Sequence, residues 1–257
     1  MNKRIRFFGV DMDVLRMDEA VRQVLAWTES PTDHCRFVVT PNVDHTVMLQ
    51  SRDDLKAVYD VAHLVLADGF PLIMTSKLLG RGLPERVAGS ELVPRLFELT
   101  QQENRTLTVY LLGAADGVAD RAAQRIHAQW PNVKVIGTYS PPMGFEKDDA
   151  ENQAILDRIN SVRPQLLVVG LGAPKQELWV HRFYQQIEAD VALCVGATID
   201  FLAGEKPQAP VWMRRTGLEW IHRVCSEPKR LAKRYAKDAI VFPQLVWKEW
   251  RSGGKTS

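Results

Sequence analysis

The stretch LLVVGLGAPKQE at residues 166–177 decides the fold class of this chain. Its first part, Leu166–Gly170, is an apolar run without polar alternation, which is typical of a strand covered on both faces. A turn rich in glycine and proline follows, and a helix is predicted over residues 175–186. A second apolar run occupies residues 191–195. Strand, turn, helix and strand in this order predict a parallel β–α–β unit.

The same alternation extends toward the N-terminus. Strands are predicted at residues 5–9, 36–40, 64–67, 108–112 and 133–137, and helices at 18–28, 44–52, 53–62, 72–79, 91–102, 117–129 and 149–162. Ser90 is the predicted N-cap of the helix that begins at Glu91. We therefore predict an α/β catalytic domain over residues 1–204, with a Rossmann-like, mostly parallel sheet and helices on both faces.

The composition changes after residue 204, and residues 205–257 are predicted to form a helical C-terminal appendage. Residues 211–257 contain eleven Lys and Arg against four Asp and Glu, whereas residues 1–210 contain 22 against 27. We call residues 211–257 the tail, and this segment also contains four of the seven tryptophans. Two or three helices are expected, with Pro228 at a boundary and Pro243 at a kink.

Composition excludes several classes of protein. Of the 257 residues, 46% are hydrophobic and 25% are charged, which are ordinary values for a soluble globular chain. The three cysteines lack C-x-x-C spacing and indicate neither a disulfide framework nor a zinc site. A reducing compartment is expected, and no run reaches the roughly 18–20 apolar residues of a membrane-spanning helix. Any membrane contact should therefore be peripheral.

Polar residues directly follow two of the predicted strands, where parallel α/β sheets bind their ligands. Thr40 and Asn42 follow the strand at 36–40, and their side chains suit either a sugar or phosphate ligand or a cap on the next helix. Asp68 lies in an Ala-Asp-Gly segment after the strand at 64–67. A carboxylate there is suited to general-base work, although a turn aspartate is the alternative interpretation.

Three further loops suit an anionic ligand. Arg86 precedes a Gly-Ser turn at a predicted helix N-terminus, whose unpaired N–H groups attract anions. Gly113 begins a Gly-Ala-Ala-Asp-Gly turn that could support a nucleotide diphosphate, although it is neither a dinucleotide fingerprint nor a P-loop. Lys175 and Gln176 follow the glycine-rich turn after residue 170 and should face the same crevice.

No metal site is predicted. Asp11-Met12-Asp13 matches the D-x-D pattern of many nucleotide-sugar transferases, but so short a match is common by chance. The histidines are scattered, and no His, Cys and Asp cluster has metal-ligand spacing. Neither a metal nor another cofactor is expected.

The tail is basic and amphipathic. Arg230 and Arg234 are four residues apart and share a helix face, while Tyr235, Ile240 and the late tryptophans supply apolar surface. This composition suits an anionic membrane surface. A solvated helix and a nucleic-acid patch are the alternatives, and the tryptophans favour the membrane.

A series of motifs in fixed order carries a family resemblance. They are T-P-N at 40–42, A-D-G at 67–69, E-R-V-A-G-S at 85–90, Y-S-P-P-M-G-F at 139–145, G-x-P-K-Q-E at 172–177, V-G-A-T-I-D-F-L-A-G at 195–204, A-P at 209–210, G-L-E-W at 217–220 and E-P-K-R-L-A-K-R-Y at 227–235. The series resembles the WecG/TagA/CpsF glycosyltransferases, also called glycosyltransferase family 26. Two positions depart from the family pattern, since Glu91 replaces a more usual Asp and Gln208 replaces a basic residue.

The resemblance implies an inverting, metal-independent transferase. Such enzymes move N-acetylmannosamine, its uronic acid or another hexose from a UDP-sugar to an undecaprenyl-diphosphate-linked acceptor, in bacterial cell-surface or exopolysaccharide synthesis. Asp68 would be the base, and the tail arginines would face the diphosphate. The candidate substrate-binding residues are Thr40, Asn42, Arg86, Gly113, Tyr139, Lys175, Gln176, Asp200, Arg223, Arg230 and Arg234.

The implied location is the cytoplasm, with peripheral binding to the inner face of the cytoplasmic membrane. The resemblance is also compatible with a homo-oligomer. A non-catalytic, nucleotide-binding membrane adaptor is the main alternative, because it would keep the loops and the tail but would not need Asp68. An RNA-associated protein would use the basic tail, but no RNA-binding module is present and no nucleic-acid partner is expected. The missing dinucleotide fingerprint disfavours a nicotinamide-dependent oxidoreductase.

Overall fold

The computed structural model of the chain describes residues 2–226 and 228–252, and leaves out the side chains of residues 211, 214, 215, 223 and 228–232. The strands are β1 (Arg4–Phe7), β2 (Val10–Asp13), β3 (Arg36–Val39), β4 (Leu64–Val65), β5 (Leu107–Gly113), β6 (Val133–Tyr139), β7 (Leu166–Gly170) and β8 (Val191–Cys194). The helices of the first 204 residues are α1 (Met17–Trp27), α2 (Val43–Met48), α3 (Asp53–Val61), α4 (Phe70–Leu78), α5 (Gly89–Gln102), α6 (Val118–Gln129), α7 (Asp149–Val162), α8 (Lys175–Phe183) and α9 (Thr198–Ala203).

A six-stranded sheet has the order β4-β3-β8-β7-β5-β6, and all of its pairings are parallel. This confirms the predicted α/β fold with a parallel sheet. Successive side chains of β7 enter different cores, since Leu167 and Val169 pack into one apolar cluster while Leu166 and Val168 pack into the other. All four are fully buried. Helices therefore cover both faces, and polar side chains are left to the ends of the strands.

The N-terminal segment departs from the prediction. The expected single strand at 5–9 is the first half of an antiparallel hairpin, with β1 paired to β2 and a turn at Phe8 and Gly9. The second strand was missed because its four residues, VDMD, are short and half charged. Asp13 of the D-x-D string is buried and accepts hydrogen bonds from Arg4 Nε (3.1 Å) and Val65 N (2.8 Å). This aspartate fastens the hairpin to β4.

The predicted cap at Ser90 is wrong. Helix α5 begins at Gly89, its N-cap is Ala88, and Ser90 lies inside the first turn. The first residue of the helix packs closely against Val195, since a Cβ on residue 89 would lie 2.7 Å from Val195 Cγ1. Only glycine fits at this position without displacing Val195, the residue that follows β8.

The tail contains α10 (Val211–Thr216), α11 (Glu219–Ser226) and α12 (Pro228–Arg251), in line with the expected two or three helices. Pro228 is the first residue of α12, and Pro243 lies inside it. Leu245 of α12 is buried in the core, and Glu249 accepts from Phe8 N (2.9 Å) and pairs with Arg81 Nη2 (3.1 Å). Among the described helices, none combines the length and the apolar composition that a bilayer span requires.

A pair of substitutions tests how α5 begins. Gly89→Ala should lower the free energy of unfolding by about 1–3 kcal/mol, because the added methyl overpacks against Val195. Ser90→Ala should change it by less than about 0.5 kcal/mol, whereas loss of an N-cap costs about 1 kcal/mol. Denaturant unfolding of both variants measures the difference. A larger loss for Ser90→Ala than for Gly89→Ala would restore the hydroxyl-cap interpretation.

Candidate active site

A cavity of about 400 Å³ lies beyond the carboxyl ends of β3, β7 and β8, and we call it the sheet-end cavity. The tail closes its open side. Its core lining consists of Thr40, Asn42, His45, Asp68, Ser90, Gly172, Ala173, Gln176, Val195, Gly196, Ala197 and Phe201. Residues 205–209, Glu219, His222, Ser226, Arg234 and Tyr235 complete the lining.

Asp68 lies where the loops after β3 and β4 meet. These strands are parallel neighbours, so their following loops emerge side by side. The backbone N–H of Asp68 donates to Pro41 O at 2.8 Å, which ties the Ala-Asp-Gly segment to the Thr-Pro-Asn segment. The side chain of Asp68 is 21% exposed and lines the cavity. Its carboxylate is therefore held in place yet accessible to a ligand.

Arg86 binds three carboxylates that come from different parts of the chain. Its guanidinium lies 3.6 Å from Asp68 Oδ1, 2.6 Å from Glu91 Oε1 and 2.8 Å from Glu219 Oε2. Burial alone would lower the pKa of Arg86, but these carboxylates outweigh it and raise the pKa. The guanidinium is thus fully engaged, and it fixes the position of Asp68 relative to α5 and the tail helix α11.

Thr40, Asn42 and Gln176 all line the cavity, as their sequence positions suggest. Thr40 Oγ1 donates to Cys194 O at 3.1 Å. Asn42 Oδ1 accepts from His45 N at 3.3 Å, so Asn42 caps α2 and borders the cavity at the same time. Gln176 Oε1 accepts from Gly196 N at 3.1 Å. Each side chain is thus oriented by the backbone of a neighbouring element.

A buried His–Glu contact beneath the cavity was not predicted from the sequence. His45 Nε2 lies 3.3 Å from Glu177 Oε1, and their side chains are 6% and 1% exposed. His45 Nδ1 lies 2.9 Å from Asn42 Oδ1, and Gln176 Nε2 donates to Glu177 Oε1 at 2.8 Å. This network joins the two amide side chains of the cavity. Its sequence signal was the histidine three residues after Asn42, at the spacing of a capping box.

The cations of the cavity come from the tail side. Arg234 lines the cavity and its Nε lies 3.2 Å from Asp44 Oδ2, while Lys206 lies 3.8 Å from Asp200 Oδ1. Lys206 was missed because it falls between the family motifs. Arg223 and Arg230 fall on α11 and α12, but their side chains lie outside the described residues.

Five of the predicted residues whose side chains the structure describes do not line the sheet-end cavity, and one of them is Arg86, which lies 3.6 Å from Asp68 Oδ1. Tyr139 ends the edge strand β6, which β5 separates from β7, the nearest strand that borders the cavity. Gly113 (φ +117°) packs so closely that a Cβ would lie 2.5 Å from Gly170 O, which makes it a packing glycine. Lys175 Nζ lies 3.8 Å from Glu146 Oε2, and Asp200 Oδ1 lies 3.8 Å from the Nζ of Lys206, which lines the cavity.

A second cavity of about 280 Å³ adjoins the first, and we call it the tail cavity. One wall of the tail cavity is formed by α4 and the start of α2. The other wall is formed by α11 and α12 of the tail. The lining consists of Asn42, Val43, Asp44, Asp68, Gly69, Phe70, Pro71, Arg86, Gly217, Glu219, Trp220, Arg234, Tyr235, Asp238, Ala239, Phe242 and Pro243. Asn42, Asp68, Glu219, Arg234 and Tyr235 belong to both cavities, so Asp68 stands at their junction.

Asp238 is an unusual carboxylate in the tail cavity. It is 3% exposed, and neither of its oxygens has a hydrogen-bond partner among the described residues. Burial raises the pKa of Asp238 to about 6, and the like charge of Asp44 adds to this, while Arg234, Lys237 and His45 lower it. At neutral pH the fold therefore carries an ionised carboxylate that it does not compensate with a hydrogen bond.

The pH dependence of stability tests this description of Asp238. Because the pKa in the fold exceeds the ordinary value of 3.8, ionisation of Asp238 costs stability as pH rises from about 4 to above 6. Asp238→Asn should therefore raise Tm at pH 8 by about 2–4 °C, the shift that 1 kcal/mol produces in a chain of this size. At pH 4 the gain should disappear, and an equal gain at both pH values in thermal unfolding would contradict the assignment.

The described residues contain no group of three or more His, Cys, Asp and Glu side chains arranged to hold a metal ion. Asp11 and Asp13 of the D-x-D string pair with Arg6 and Arg4 on the hairpin. Neither aspartate lines the cavities beside Asp68.

Known proteins match most of the length of this chain. A Staphylococcus aureus (strain MW2) protein named N-acetylglucosaminyldiphosphoundecaprenol N-acetyl-beta-D-mannosaminyltransferase is 26% identical over 230 residues, covering 90% of this chain and 87% of the relative. The protein of the same name from strain NCTC 8325 / PS 47 has the same identity and coverage. Residues 5–256 match the "Glycosyl transferase WecG/TagA/CpsF family". The chain therefore belongs to the WecG/TagA/CpsF family of glycosyltransferases.

Proposed function

We propose that this chain transfers N-acetylmannosamine, its uronic acid or a related hexose from a UDP-sugar to an undecaprenyl-diphosphate-linked acceptor, with Asp68 as the base. The observation that carries the proposal is the position of Asp68, held by Arg86 at the junction of two cavities. A transferase with two substrates needs such a junction, because the donor and acceptor must meet at one reacting carbon.

The chemical step is a single displacement. Asp68 takes the proton of an acceptor hydroxyl, and the oxygen attacks the anomeric carbon on the face opposite UDP. A glycosidic C–O bond forms while the bond from that carbon to the phosphate oxygen breaks, and its electron pair leaves with UDP. The relative's name specifies a β-linked product, which such inversion produces from an α-linked nucleotide sugar.

The sheet-end cavity suits the UDP moiety. Ligands of parallel α/β sheets lie beyond the carboxyl ends of the strands, and three such strands border this cavity. The first turn of α5 contributes Ser90, and a helix N-terminus favours phosphate oxygens. Lys206 and Arg234 supply positive charge. Fixed cations and dipoles of this kind stabilise a departing diphosphate without a metal ion.

Replacement of the Asp68 carboxylate should slow sugar transfer strongly while the protein stays folded. Asp68→Asn should reduce kcat by about 10²–10⁴-fold, the usual contribution of a general base. The assay screens UDP-sugars against a short-chain lipid-diphosphate acceptor in the presence of EDTA and follows UDP release and product stereochemistry. Asp157→Asn, an exposed aspartate on α7, is the matched control.

Two results would contradict the proposal. A folded Asp68→Asn protein with near-wild-type turnover would exclude Asp68 as the base. Absence of UDP release with every donor and acceptor would favour the non-catalytic membrane adaptor instead.

We also propose that the tail binds the inner face of the cytoplasmic membrane. Ile240, Trp247 and Trp250 are 66%, 52% and 65% exposed, and their spacing puts them on one face of α12. The opposite face carries Leu245 and Glu249, which contact the core. An exposed stripe with two tryptophans and flanking lysines is typical of a helix that lies in a membrane interface.

Replacement of this stripe should weaken membrane binding. Ile240→Ser, Trp247→Ser and Trp250→Ser together should reduce partitioning onto anionic vesicles about tenfold or more, since each buried side chain contributes roughly 1.5–3 kcal/mol. Vesicle co-sedimentation measures the partition coefficient. Met143→Ser, at a 93% exposed position outside the tail, should leave it unchanged. Equal binding by the triple variant and the control would exclude this face as the contact.

A further inference from the structure

The tail cavity contains a buried carboxylate, that of Asp238, for which the described part of the chain provides no hydrogen-bond partner. Asp238 Oδ1 and Oδ2 are both buried, and neither has a hydrogen-bond partner among the described residues, although the residue lines the cavity. A charged acceptor that is buried without a hydrogen bond destabilises the fold, whereas water would solvate the same group at an exposed position. A ligand that donates a hydrogen bond into the cavity would remove this cost, so the carboxylate points to a ligand with hydroxyl or amide groups.

The walls around Asp238 are aromatic. Phe70, Trp220, Tyr235 and Phe242 line the cavity, and the rings of Trp220 and Tyr235 are 6.3 Å apart. Apolar walls with a few placed polar groups are the general form of a small-molecule site, and about 300 Å³ is the lower end of the usual volumes. Aromatic faces pack against the C–H faces of a pyranose ring, while carboxylates accept hydrogen bonds from its hydroxyls.

The described lining of the tail cavity is rich in carboxylates. Among the side chains that the structure describes, those of Asp44, Asp68, Glu219 and Asp238 line it together with the guanidinium groups of Arg86 and Arg234. Both guanidinium groups already pair with carboxylates, Arg86 with Asp68 and Glu219, and Arg234 with Asp44. Carboxylate oxygens accept hydrogen bonds, so these side chains suit a ligand with hydroxyl or amide donors better than phosphate oxygens, which are acceptors themselves.

An isoprenoid chain does not fit the chemistry either. A hydrocarbon would cover Asp238 and leave its carboxylate without a hydrogen bond, which is the costly arrangement. A neutral ring with several hydroxyl groups can pack its C–H faces on the aromatic walls and donate a hydrogen bond to the carboxylate. The cavity also reaches Asp68, where the acceptor hydroxyl must lie for its proton to be removed.

We propose that the tail cavity binds the terminal pyranose of the acceptor and that Asp238 accepts a hydrogen bond from one of its hydroxyl or amide groups. The inference rests on the proposed transferase function, in which Asp68 removes a proton from that same sugar. It separates the two substrates, with the nucleotide sugar in the sheet-end cavity and the acceptor sugar between the core and α12. Asp238 is then a specificity residue for the acceptor.

Steady-state kinetics test the inference. Asp238→Asn should raise the acceptor KM about tenfold, since a hydrogen bond to a charged group becomes one to a neutral group. The donor KM and kcat should stay within about twofold of the wild-type values. Because the substitution is expected to raise Tm at neutral pH, unfolding would not account for the loss. Asp60→Asn, at an exposed position that lines neither cavity, is the matched control.

Equilibrium binding separates this inference from the proposed function. The probes are the acceptor in detergent micelles and a polyprenyl diphosphate that lacks the sugar. Asp238→Asn should weaken binding of the first and leave binding of the second unchanged, even if the chain transferred no sugar at all. Equal weakening of both probes would assign the cavity to lipid or diphosphate. An unchanged affinity for the sugar-bearing probe, or an equal rise of donor and acceptor KM, would overturn the inference.

Discussion

Burial of the parallel sheet on both faces is the constraint from which the rest of the molecule follows. With β7 and β8 fully covered, no polar side chain has a place along the middle of the sheet. Polar chemistry is therefore confined to the loops at the strand ends. Since β3, β4, β7 and β8 are neighbours, their loops bring Thr40, Asn42 and Asp68 together with Gln176, which is more than a hundred residues further along the chain.

The tail is part of the candidate site. Glu219 of α11 shares the guanidinium of Arg86 with Asp68, and Arg234 of α12 pairs with Asp44 beside the junction of the two cavities. A surface ion pair contributes little, but these groups are mostly buried, so separation of the tail would leave charged partners uncompensated. Docking of the tail and the electrostatic environment of the base are thereby coupled.

The sequence predicted the fold well because apolar strands and glycine-rich turns are local signals. The bounds of α7 and β7 match the prediction, whereas the hairpin was half missed because β2 is short and charged. Motif order pointed to Asp68, in the loop after β4, and to Gln176, in the first turn of α8, and both line the sheet-end cavity. It did not point to His45, Glu177 or Asp238, because the His45–Glu177 contact joins helices distant in sequence and the burial of Asp238 depends on how the tail packs. Tyr139 has the motif but lies at the far edge of the sheet.

Asp238 has a consequence for protein engineering. A screen that rewards heat resistance alone favours substitutions that remove unfavourably buried charges. The carboxylate of Asp238, for which the described residues provide no hydrogen bond, is such a charge. Selected variants would then accumulate neutral residues at position 238 and survive heating while recognising their acceptor poorly. Libraries designed for a heat-resistant catalyst should therefore keep Asp238 unchanged and place stabilising substitutions away from the two cavities.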